Sequence, residues 1–132
     1  MTTLTKEQVL VELIKLGCFK EGNFTLKSGE HSNYYIDLRT LISHPPLLMA
    51  LSDLLYQTIY NVDGKICGLP YAGIPYANTI SILYQRQMVL LRKEKKTYGT
   101  GKMVEGDYKE GDDLIIIDDI LTKGTSILES LE

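Results

Sequence analysis

No apolar run in this chain approaches the length of a membrane span, and the N-terminus, Met1 to Gln8, is too polar for a secretory signal. Cysteine is scarce. Cys18 and Cys67 stand alone, without C-x-x-C spacing and without a histidine nearby in sequence, which argues against a zinc site or a redox pair. The spacing predicts two buried free thiols in a reducing cytosol, so the expected location is cytoplasmic. There are only two histidines, His31 and His44, and both read as loop residues. A strong excess of one charge is also missing: 14 basic against 17 acidic residues give a net −3, which argues against a general nucleic-acid or anionic-membrane binder and leaves room for local basic patches. No internal repeat or low-complexity tract occurs. What remains is a chain of 132 residues, 44% hydrophobic and 23% charged, enough for one globular domain with one core over residues 1–132.

The most informative segment is LIIIDDILTKGTS, Leu114 to Ser126. Leu114, Ile115, Ile116 and Ile117 form a β-branched apolar run, as expected of a strand covered on both faces. Asp118 and Asp119 follow at its carboxyl end, where open α/β sheets place ligands. Thr122, Lys123, Gly124, Thr125 and Ser126 then offer hydroxyls, backbone N–H groups and a glycine at a helix start, a combination that can cradle a phosphate. Two ionised carboxylates beside a phosphate cradle suit a ligand with a phosphate and vicinal hydroxyls. The G-x-x-x-x-G-K-[ST] spacing of a Walker loop is absent. A plain buried strand with a polar turn would show the same Asp-Asp pair, since turn residues cluster at strand ends.

The rest of the chain places this segment. Thr5 and Gln8 form a capping-box pattern, and Val9, Leu10, Leu13 and Ile14 recur at helical spacing up to Gly17, which predicts a core-packed helix over 6–16. Asn23–Lys27 and Tyr34–Leu38 read as strands around the Ser28-Gly29 turn and a polar stretch from Glu30 to Asn33. His44-Pro45-Pro46 opens a long helix whose apolar face is Leu47, Leu48, Leu51, Leu54, Leu55 and Ile59. Strands are expected at Lys65–Leu69, Met88–Leu91 and 113–117, with a helix over 75–84. Arg92 to Asp107 reads as one long polar loop carrying Arg92, Lys93, Lys95, Lys96 and Lys102 among glycines. A loop of this length in a small domain usually serves a function or is disordered, and lysines on flexible stems suit a leaving pyrophosphate; the plain alternative is a solvated hairpin between two strands. The order implies a mostly parallel α/β sheet flanked by helices, with a small N-terminal cap.

Four segments together resemble one family: FTLKSGEHSNYYIDLR (Phe24 to Arg39), ICGLPYAGIPYA (Ile66 to Ala77), LLRKEKKTYGTGKMVEG (Leu90 to Gly106) and the Asp-Asp segment. They are similar to orotate phosphoribosyltransferase, a type I phosphoribosyltransferase, above all the form at the N-terminus of eukaryotic UMP synthase. The resemblance implies the type I fold and transfer of the phosphoribosyl group from phosphoribosyl pyrophosphate (PRPP) to orotate in UMP biosynthesis. It implies that Lys27 contacts PRPP, that Tyr35 and Ile36 meet the orotate ring, and that Tyr71 and Ala72 line the pyrophosphate loop. Many bacterial members carry lysine where Ala72 stands, and histidine where Tyr98 stands. Lys93 would bind PRPP within its own subunit, while Arg92, Lys96 and Tyr98 would reach a neighbouring subunit's site, which implies a homodimer with shared active sites. Asp118 and Asp119 would hold the ribose hydroxyls, Thr122 would touch orotate, and Ile120, Leu121 and Lys123 to Ser126 would complete the PRPP loop. Lys96, Asp118 and Asp119 are thus the expected catalytic residues. Mg²⁺ would be held mainly through PRPP, with no direct protein ligand, and an orotidine monophosphate decarboxylase is expected as a fused or separate partner. The nitrogen of orotate is itself the nucleophile, so the chain needs no Ser, Cys or His nucleophile.

The resemblance also implies further C-terminal elements after Glu132, including an arginine for the orotate carboxylate. The expectation is therefore an incomplete domain, weakly active or inactive and less stable than a full one. The competing expectation is a non-catalytic PRPP- or nucleotide-binding module. A purine base in place of orotate is disfavoured by Tyr35, Ile36 and the basic loop.

Overall fold

The computed structural model describes residues 4–26, 28–95 and 97–119. Helix α1, Lys6–Lys15, starts with the capping box read from the sequence: the Gln8 N–H donates to the Thr5 hydroxyl at 3.2 Å, and the Thr5 N–H donates to Gln8 Oε1 at 2.8 Å. It stops at Gly17, whose φ of +76° lets Gly17 N–H reach Ile14 O and Cys18 N–H reach Leu13 O, both at 3.0 Å. Val9 is buried, and Leu13 and Leu16 pack beside it on the core. Leu10 and Ile14, expected to pack inward, are 58% and 57% exposed. The buried stripe of α1 is narrower than its apolar pattern, because α1 rests on the core along one line only.

Strands β1, Phe19–Thr25, and β2, His31–Ile36, form an antiparallel sheet of their own. Their bounds differ from the expected Asn23–Lys27 and Tyr34–Leu38. The expected polar loop at Glu30–Asn33 is largely strand, and His31 lies in β2. Pairing decides this: Phe19 faces Ile36 and Thr25 faces His31, with a register shift between Glu21 and Phe24 around Gly22. Such a bulge breaks the period-two signal on which strand limits are read.

A 3₁₀ turn at Arg39–Ser43 leads to α2, Pro45–Gln57, with both prolines in its first turn as expected. Strand β3, Lys65–Gly68, α3, Ile74–Tyr84, β4, Met88–Leu91, β5, Val104–Glu105, and β6, Leu114–Ile117, complete the described elements. The second sheet has the order β5-β4-β3-β6. Strand β3 pairs in parallel with β4 and β6, while β5 runs antiparallel to β4. Strand β5 falls inside the stretch expected to be loop, so the sheet is mixed with a parallel centre. Among the described residues β6 is an outer strand, and Leu114 is 45% exposed rather than covered on both faces. Ile66, Tyr76, Ala77, Ile80, Leu41 and Leu47 form the middle of the core. Cys18 and Cys67 are buried free thiols, as the spacing predicts.

The amino-end edge of the parallel strands is closed by polar staples. Arg86 Nη2 donates to Val62 O at 2.8 Å and to Gly64 O at 2.9 Å. Lys65 Nζ meets Asp112 at 2.9 Å and Asp107 O at 2.7 Å. These contacts hold β3 in line with β4 and β6, and so fix where their carboxyl ends emerge. Among the described residues no helix is long and apolar enough to cross a membrane.

Candidate active site

Because β3, β4 and β6 are parallel, their carboxyl ends share one edge, and the segments leaving them share a neighbourhood. Strand β6 delivers Asp118 and Asp119. Strand β3 delivers the turn Leu69–Gly73, which runs into α3. Strand β4 delivers Arg92 and Lys93.

Two of these segments are in backbone contact. The Leu69 N–H donates to Ile117 O at 2.7 Å, and the Gly73 N–H donates to Leu69 O at 3.0 Å. Glycine is required for this approach. A Cβ on Gly73 would overlap the Ile117 carbonyl oxygen and come within 2.8 Å of Leu69 N; one on Gly68 would lie 2.6 Å from Gly73 O. The φ of Gly73 is −80°, an ordinary helical value, so the requirement is one of space and not of backbone conformation. The Pro70–Tyr71 peptide in this turn is cis. Tyr71 is 70% exposed, Ala72 is half-buried, and Lys93 Nζ stands 5.6 Å from the Tyr71 ring centroid, a cation over an aromatic face.

Asp118 and Asp119 are both half-buried. The Asp119 N–H donates to Asp118 Oδ1 at 2.8 Å, which orients the first carboxylate by its own backbone. Asp119 also acts on two groups outside β6. Burial pushes the Tyr76 hydroxyl well above its ordinary range, with the Asp119 and Cys18 charges adding to the shift. Hydrogen bonding to Asp37 raises the Arg39 guanidinium further, with Tyr35 and Asp119 acting in the same direction.

An ion pair braces the segment that follows β2. Arg39 grips Asp37 through Nε at 2.9 Å and Nη2 at 3.1 Å, and the Arg39 N–H adds a bond at 3.0 Å. These bonds hold the Asp37 carboxyl below the usual carboxylate range. The same end of the hairpin carries Tyr35, whose ring packs on Phe24 at 5.5 Å between centroids, and Ile36, which is 38% exposed. Arg39 lies in a segment that carries the family resemblance, and its pairing with Asp37 is a contact the resemblance does not imply. The signal was the acid-base pair two residues apart directly after a strand.

Arg92 Nη1 lies 3.8 Å from Glu105 Oε1. Tyr98 is 69% exposed. Lys27, Lys96, Ile120, Leu121, Thr122, Lys123, Gly124, Thr125 and Ser126 lie outside the described residues, as does the helix expected after them. An apolar groove of about 580 Å³ between α1 and the start of α2 shares no residue with these strand-end segments.

Orotate phosphoribosyltransferase of Methanocaldococcus jannaschii is 35% identical to this chain over 130 residues, covering 98% of the chain and 74% of that relative. Uridine 5'-monophosphate synthase of Naegleria gruberi is 42% identical over 134 residues, covering 96% of this chain and 27% of that longer protein. The solved structure of UMP synthase from Leishmania donovani superposes with a TM-score of 0.82 at 35% identity, over 93% of this chain and 27% of that one. The chain therefore spans about three quarters of the archaeal relative and about a quarter of the two synthases. No protein-family model matches it. The likeness of sequence and of architecture runs through the strand-end segments themselves, and the chain belongs to the orotate phosphoribosyltransferase family, with the type I phosphoribosyltransferase fold.

Proposed function

We propose that this chain transfers the 5-phosphoribosyl group from PRPP to orotate, giving orotidine 5'-monophosphate and pyrophosphate in UMP biosynthesis. The observation that carries the reading is the convergence of adjacent carboxylates, a close-packed glycine turn and two cations on one edge of a parallel sheet. Asp118 and Asp119 accept hydrogen bonds from the two ribose hydroxyls and set negative charge beside the anomeric carbon, where oxocarbenium-like charge develops. The Tyr71–Ala72 turn and Lys93 take the diphosphate, and Lys27 contacts PRPP. Tyr35 and Ile36 bound the orotate ring, held in place by the Asp37–Arg39 pair. Lys96 stabilises the departing pyrophosphate. Lys123 to Ser126 bind the 5-phosphate and Thr122 contacts orotate, with Ile120 and Leu121 in the same substrate-binding stretch. Arg92 and Tyr98 belong to the diphosphate end, shared across a homodimer.

Mg²⁺ fits as an ion carried in by PRPP. Asp118 and Asp119 offer two half-buried carboxylates at the carboxyl end of β6, oxygen donors that suit a hard cation shared with PRPP oxygens. When bound, it offsets negative charge on the diphosphate. A cytoplasmic location and a decarboxylase acting on the product, fused or separate, belong to the same reading.

Base choice tests it. With PRPP and Mg²⁺ present, consumption of orotate is expected to resist competition by adenine or hypoxanthine. Competition by a purine at equal concentration would contradict the assignment of Tyr35 and Ile36 to an orotate site.

A further inference from the structure

We propose that Glu105 is a positioning residue that restrains the Arg92 guanidinium until a diphosphate takes it over. The inference rests on the transferase reading and adds to it a competitor for one of the site's cations.

The geometry begins in the backbone. Strand β5 runs antiparallel to β4, with Glu105 opposite Leu90 and Val104 opposite Leu91, and the Arg92 N–H donates to Met103 O at 2.8 Å. This pairing brings Glu105 beside the root of Arg92. The two side chains are 33% and 34% exposed, and Arg92 Nη1 lies 3.8 Å from Glu105 Oε1. That separation is an ion pair but longer than a hydrogen bond. It offsets charge without committing the guanidinium's directional donors. Arg92 Nε is buried and has no hydrogen-bond partner among the described residues. A buried donor left in this state is unfavourable, and a diphosphate can relieve it by accepting two guanidinium N–H groups at once. Lys93, the next residue, is aimed elsewhere, over the Tyr71 ring. The two cations therefore start from different tethers: Lys93 on the glycine turn, Arg92 on β5.

Glu105 then competes with the diphosphate for Arg92. Removing its charge while keeping its shape frees Arg92 for the ligand. In the present 132-residue chain, Glu105→Gln is expected to bind inorganic pyrophosphate more tightly than wild type, by about two- to fivefold, the range of a pair this exposed. Glu105→Asp, which draws the charge back by one methylene, should fall between them. In an Arg92→Ala background the Glu105→Gln effect should vanish. The measurement is calorimetric titration with inorganic pyrophosphate and Mg²⁺, with thermal unfolding of each variant alongside. Unchanged or weaker binding in Glu105→Gln would overturn the proposal, and a lowered Tm accompanying it would mark the pair as structural. Equal tightening in the Arg92→Ala background would also overturn it, as would wild type that binds no pyrophosphate. Failure of wild type to consume orotate would count against the transferase reading alone, while the titrations would still decide the role of Glu105.

Discussion

Replacing Asp119 by asparagine is expected to lower kcat/KM for PRPP by about 10²- to 10³-fold while leaving the unfolding transition within a few degrees of wild type. The substitution keeps the shape of the side chain and removes its charge. Two effects combine. A hydrogen bond from a ribose hydroxyl to a carboxylate is worth about 1.5–3 kcal/mol, more than one to an amide oxygen. The negative charge also stabilises the developing positive charge at the anomeric carbon, an interaction stronger in the transition state than in the ground state. The fall should thus appear in kcat as well as in KM. Asp118→Asn should act in the same direction. One of its oxygens accepts the Asp119 N–H at 2.8 Å, a bond the asparagine oxygen can keep, so the variant removes charge while leaving the turn that aims Asp119 in place. Steady-state kinetics in PRPP and a melting curve check both variants. An Asp119→Asn enzyme with unaltered kcat would mean that the pair is a strand-end turn and no more.

The second large effect is structural. Gly73→Ala is expected to destabilise the fold by about 3 kcal/mol and to lower Tm by on the order of 10 °C. The added methyl would overlap the Ile117 carbonyl oxygen and crowd Leu69 N, both backbone atoms that no rotamer change can move aside. Relief requires the start of α3 to draw away from the end of β6. That movement breaks the Leu69–Ile117 hydrogen bond and displaces Asp118, one residue further along, so PRPP binding should weaken in the same variant. Gly29→Ala is the contrasting case. Gly29 has φ of +87° with nothing within 4 Å of the added Cβ, so only the left-handed backbone opposes it, at about 1 kcal/mol. Chemical denaturation of the two variants separates crowding from conformational strain. Equal, small costs would show that the α3–β6 approach is looser than described.

Much of this architecture is legible in the residues. Thr5 and Gln8 announce the start of α1 and Gly17 its end, because capping depends on residues five apart or fewer. The β-branched run at Leu114–Ile117 and the short runs at Lys65 and Met88 give the three parallel strands, since each is apolar enough to demand burial. The turn glycines mark a close approach. The remainder depends on partners distant in sequence. Strand β5 has two residues and no alternation to read, and exists because Leu90 and Leu91 offer a free edge. The β1–β2 register is moved by a bulge at Gly22. Leu114, Leu10 and Ile14 carry core-like residues at exposed positions, since exposure is set by what the neighbouring elements reach. For the same reason, the neighbourhood of Arg92 and Glu105, thirteen positions apart, appears only once β4 and β5 are paired.

The most direct test of the account is the loss of orotate absorbance on adding PRPP and Mg²⁺ to this chain, with Lys96→Ala and Asp119→Asn measured beside it. The account predicts orotate consumption that requires both additions, yields pyrophosphate in equal amount, and is lost or greatly slowed in both variants. PRPP bound without any orotate consumed would contradict it, leaving a phosphoribosyl-binding module in place of a transferase.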